Sequence, residues 1–177
     1  MKKSTTEQLQ SGLGKCQGIK AAIAKDEKLL ADSTTELAAL EVSADLSNGS
    51  TLGQLSKLQT IVMVAPKRLA ARREEFSAAK KTLLAECGSF IATAFGPRYK
   101  DLEGRAVAKV EANLKPFFGE EHGLRQAAYG TKELSALEPL KAQTFLRDAD
   151  PEDAMRLAQE LLDAWHAAEA FGKEYLS

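Results

Sequence analysis

Two apolar ladders with the same seven-residue step constrain this chain more than anything else in it. Leu9, Cys16, Ile23, Leu30 and Leu37 form the first, and Leu55, Val62, Leu69, Phe76, Leu83 and Phe90 form the second. Seven residues is close to two helical turns, so a ladder of this step holds one helix face against a neighbour over a long distance. The ladders also pair with each other. Residues 37 and 55, 30 and 62, 23 and 69, 16 and 76, and 9 and 83 have numbers that all add to 92, which centres a chain reversal near residue 46. Ser47-Asn48-Gly49-Ser50 lies there, and these residue types suit a turn. Residues 4–94 therefore read as one long αα-hairpin, with helices of about 40 residues and roughly 60 Å each if straight.

Local signals complicate both arms. The first helix starts near Ser4–Thr6, where hydroxyls can cap it and Glu7 is close to a capping-box position. Gly12, Gly14 and Gly18 each cost about 1 kcal/mol relative to alanine inside a helix, so the first turns should fray unless packing holds them. Pro66 predicts a kink or break over 62–66 in the second helix. Gly96-Pro97 predicts its end, and Phe95–Arg98 is the expected boundary with the rest of the chain.

Further helices should follow. Leu102, Ala106, Val110 and Leu114 are spaced by four and are closed by Pro116, with Phe117 and Phe118 anchoring the end. Residues 124–130 suggest a short helical turn. Thr131 can open a helix through Leu134, Leu137, Leu140 and Phe145 that bends or splits at Pro139. Asp150-Pro151-Glu152-Asp153 combines an N-cap acid, a proline at the first helical position and acids in the first turn, so a last helix covers about 151–176. Only 6% of the residues are aromatic while alanine is abundant, which favours helix packing over a sheet. The expected fold is all-α: a coiled-coil-like antiparallel hairpin over 1–95 with a C-terminal helical region over 96–177 packed on it.

The chemistry on offer is sparse. Lys+Arg 24 against Asp+Glu 25 gives a net charge of −1, so no global field draws in nucleic acid or an anionic membrane. The longest apolar run, Ile61 to Ala65, is far short of the roughly 20 residues of a membrane span, and no apolar stretch follows the basic N-terminus as in a secretory signal. A cytoplasmic location is the expectation. Gly12-Leu13-Gly14-Lys15-Cys16-Gln17-Gly18 lacks the spacing, the hydroxyl after lysine and the preceding strand of a phosphate-binding loop. Cys16 and Cys87 lie about 16 Å apart along the hairpin register and should be free, buried thiols. His122 beside Glu120 and Glu121 lacks further metal ligands, and His166 reads as an edge residue. No catalytic constellation, metal site or cofactor is expected.

Two surfaces remain. Ile19, Leu29 and Leu40 on the first helix, with Leu58 and Ile61 on the second, form apolar edges wider than a two-stranded seam needs. They invite a helical protein partner, this chain's own second copy above all. In the basic group Lys67, Arg68, Arg72 and Arg73, with Lys80 and Lys81 two turns on, spacings of four and five place 68 and 72, and 68 and 73, on one side of the second helix, where they could straddle phosphates. Glu74 and Glu75 weaken that patch, no aromatic interleaves to stack bases, and Asp26 and Glu27 lie opposite as ion-pair partners. The expected function is a non-enzymatic interaction or assembly component, with nucleic-acid association as the alternative.

Overall fold

The computed structural model describes residues 5–43, 49–118, 128, 131–143 and 150–176. Among them there is no strand, and the all-α expectation holds. Helix α1 covers Thr5–Ser43 and α2 covers Gly49–Phe90. A π-helical turn, Ile91–Phe95, leads into α3, Gly96–Phe118. Two short helices follow, α4 at Lys132–Ser135 and α5 at Glu138–Gln143. A 3₁₀ turn at Pro151–Asp153 opens the last helix, α6, Ala154–Tyr175. The expected turn at 47–48, the stretch at 124–127 and His122 lie outside the described residues.

The chain divides into two compact units. Gly14–Ala79 forms one unit; Met1–Leu13 and Lys80–Ser177 form the other. The Gly14–Ala79 unit is the distal hairpin. Arg68 and Arg72 of α2 meet Asp26 of α1, so α2 lies alongside α1. These pairs lie about a turn beyond the register expected from the ladders. Helical side chains lean toward their own N-terminus, so the long arginines reach back by that much.

The other unit holds most of the large core. Leu9 and Leu13 of α1 and Leu83, Cys87 and Phe90 of α2 are buried, as are Phe95, Leu102 and Ala106 beyond the π-turn. Gly12 lies close against α2: a Cβ there would meet the Glu86 carboxylate, which would have to swing aside, and lie 3.1 Å from Leu83 Cδ1. Helix α3 packs on α4 and α6, and α5 packs on α6. The Phe90 ring meets Trp165 of α6 edge-on at 5.5 Å and Phe95 at 6.4 Å. Lys80, almost fully buried, pairs with Glu152 in the 3₁₀ turn.

Several local expectations are corrected. Helix α2 runs through Pro66 without a break, and buried Ala65 and Leu69 on either side of it supply packing that offsets the missing hydrogen bond. Gly96-Pro97 does not stop the helical path. The Gly96 N–H donates to the Ile91 carbonyl five residues back, which widens the coil where a proline ring would otherwise clash. A Cβ at Gly96 would press on that carbonyl oxygen at 2.8 Å. Phe117 anchors nothing: it is 81% exposed. Pro116 falls inside α3. The last helix begins as expected, with Asp150 Oδ1 accepting from the Glu152 N–H at 3.0 Å and proline at the start. The split near Pro139 is also present, between α4 and α5.

Candidate interaction surface

The surface is built on the distal hairpin, where two helices must bury an apolar seam with no third element in their own unit. Helix α2 turns Leu55, Leu58, Ala65 and Leu69 inward. Helix α1 answers differently from the ladder. Ile23, Leu30 and Leu37 are only half-buried, while the buried positions are Cys16, Asp26 and Ser33. The line facing α2 is thus displaced from 23-30-37 toward 26-33. Asp26 is 4% exposed and is held by Arg68 and by Arg72 Nε at 3.0 Å from Oδ2. Its neighbour Glu27 accepts from Arg73 at 2.7 Å at the surface. A buried carboxylate of this kind stands only with cations folded over it.

These ion pairs bear directly on the basic patch. Of Lys67, Arg68, Arg72 and Arg73, the three arginines are turned onto Asp26 and Glu27, the partners anticipated from the hairpin. Lys67 is exposed. Guanidiniums so engaged have less of their fork to offer a phosphate. Lys80 lies in the other unit and is committed to Glu152.

The five expected edge residues do not share one environment. Leu58 is buried in the seam at 7% exposure and offers a partner almost nothing. Ile19, Leu40 and Ile61 are half-buried, and Leu29 is 40% exposed. Sequence reasoning missed the outward positions of Val42, Leu52, Val64 and Met63, the last 68% exposed. The compact run Ile61 to Ala65 was the available signal, because five consecutive apolar residues on a helix cannot all face one neighbour.

Elsewhere the chemistry is quiet. In the other unit a cavity of about 150 Å³ is lined by Lys109, Asn113, Glu133, Glu174 and Tyr175 among others. Lys109 Nζ donates to the Tyr175 carbonyl at 2.7 Å, and the Tyr175 hydroxyl is raised above its usual pKa by its hydrogen bond to Glu174. Among the described residues no histidine or cysteine lines this cavity. His166 is exposed on α6. Among the described residues no three His, Cys, Asp or Glu side chains gather as a metal site, and no helix is long and apolar enough to cross a membrane. Both cysteines are buried.

Cys87 carries a measurable consequence. Burial, and then the Glu86 carboxylate, push its thiol from 9.0 up to about 12. The folded state therefore keeps a proton that the unfolded chain releases above pH 9, so this contribution is intact below that pH and is lost as pH rises toward 12. At pH 10 the expected loss is about 1.4 kcal/mol relative to pH 8. Urea unfolding at the two pH values checks it, and Cys87→Ala should flatten the difference.

No protein-family model matches this chain, and comparison with curated proteins and with solved structures finds no match.

Proposed function

We propose that this protein is a non-enzymatic helical interaction component that associates reversibly with itself through the distal hairpin. One observation carries the reading: the Gly14–Ala79 unit leaves Ile23, Leu30 and Leu37 half-covered and Leu29, Leu52, Val64 and Met63 in water. Two helices enclose an apolar seam poorly, and each additional helix laid beside it removes more of that surface from solvent at about 25 cal/mol per Å². A second copy supplies such a helix without any further gene product, and closed symmetric pairing is the commonest way to do so.

Light scattering on the purified chain from low to tens of micromolar tests the reading. The expected result is a mass that rises with concentration from the 19.1 kDa monomer toward twice that value. A constant 19.1 kDa across the range overturns self-association.

A further inference from the structure

The solvent-facing edge of α1 has an order that a random surface would not have. Lys15, Gly18, Ala22, Lys25, Leu29, Asp32, Glu36 and Leu40 follow one another by three or four residues and so share one helix face. None of them is buried, and all lie in the Gly14–Ala79 unit. The bases precede Leu29 and the acids follow it. Leu29, the exposed large apolar residue of the stripe, stands at the point where the sign changes. Among the described residues Lys25, Asp32 and Glu36 make no ion pair. Around Gly18 a Cβ would meet nothing within 4 Å, so its backbone is open to close approach.

Such a stripe is complementary to itself reversed. We propose that α1 packs antiparallel on α1 of a second copy, with Leu29 on the two-fold axis. This inference rests on the self-association reading and names its surface and direction. Turned end for end about Leu29, Lys25 meets Asp32 of the second copy, and Asp32 meets its Lys25. Gly18 meets Leu40, a bare backbone against a large side chain, on both sides of the axis. Ala22 meets the stem of Glu36. In an isologous pair each of these contacts occurs twice, which is what two-fold symmetry demands of one surface. A parallel pair in register would set Lys25 on Lys25 and Asp32 on Asp32, and the charges would oppose it.

Size sets the strength. From Lys15 to Leu40 the helix runs about 38 Å, and a face about 10 Å wide gives roughly 400 Å² from each copy, or about 800 Å² in total, in the range of weak, transient association. The pairing is therefore weak and concentration-dependent.

Charge exchange on the full chain tests the direction. Lys25→Glu alone and Asp32→Lys alone each place like charges opposite one another twice, and each should weaken self-association about tenfold in sedimentation equilibrium. The double variant Lys25→Glu/Asp32→Lys restores opposite charges in the same antiparallel register and should return the affinity to within a few-fold of wild type. Both substitutions are at exposed positions, and circular dichroism verifies that the helices persist in all three variants. A wild-type chain that stays monomeric overturns the self-association reading and this inference with it. A wild-type dimer whose affinity is unchanged in the single variants, or is weakest in the double variant, overturns this inference alone, because the copies then meet on another face or in the parallel sense.

Discussion

Phe90→Ala is expected to lower the free energy of unfolding by about 3–5 kcal/mol, the range for deleting a fully buried aromatic side chain. Phe90 is 1% exposed, at the end of α2, and touches rings on both sides: Phe95 across the π-turn and Trp165 on α6. Truncation removes the transfer term, opens a cavity between helices that cannot close without moving α6, and deletes an edge-to-face contact of roughly 1 kcal/mol. Trp165 is the chain's one tryptophan, so its fluorescence reports on this pocket directly. Urea unfolding followed by that signal should show a lower midpoint and, in the folded variant, emission shifted to longer wavelength. A loss below 1 kcal/mol would mean that α6 is held without the Phe90 contact.

Asp26 gives the second large effect, and its sign depends on what replaces it. Asp26→Ala leaves Arg68 and Arg72 aimed at an apolar seam with no counter-charge. Breaking a fully buried pair costs about 3–5 kcal/mol, and here the partly exposed guanidiniums can turn to water, which brings the expected loss to about 2 kcal/mol. Replacing the whole triad, Asp26→Leu with Arg68→Met and Arg72→Met, should stay within about 1 kcal/mol of wild type, because the desolvation costs of the carboxylate and the guanidiniums disappear together. Circular dichroism in urea compares the two. Equal losses in both variants would show that the seam depends on the charge itself. The predicted difference would instead assign Asp26 to fixing the alignment of α1 on α2, the role a single polar residue plays in a helical seam.

Much of the fold was legible because helices announce themselves through period and caps. The two ladders located α1 and α2, and Asp150-Pro151 located the 3₁₀ turn that opens the last helix. What the ladders could not give was depth. By mid-hairpin the buried positions of α1 are Asp26 and Ser33, three residues on from Ile23 and Leu30, while Ile23, Leu30 and Leu37 are half-buried. A polar pair inside an apolar face is invisible to a search for apolar repeats. The basic patch was legible as a cluster, and its partners Asp26 and Glu27 were legible from the register. The proline and glycine signals misled for a different reason. Pro66 and Gly96-Pro97 are local penalties of a few kcal/mol at most, and buried neighbours on both sides outweigh them.

The π-turn at Ile91–Phe95 acts on the apolar pattern as a phase shifter. Before it the buried positions run Leu83, Cys87, Phe90, and an unbroken α-helix would continue them to 94, 98 and 101. The buried positions that follow are Phe95, Tyr99, Leu102 and Ala106, each one residue late. One extra residue is about 100° of rotation, enough to turn Tyr99 and Leu102 away from the core had the coil stayed regular. The wide turn absorbs that residue and brings the late set back into line with Phe90. Two stretches that are each in step with the helix, and out of step with each other, are thereby spliced into one wall, and Gly96 is the residue small enough to let the splice close.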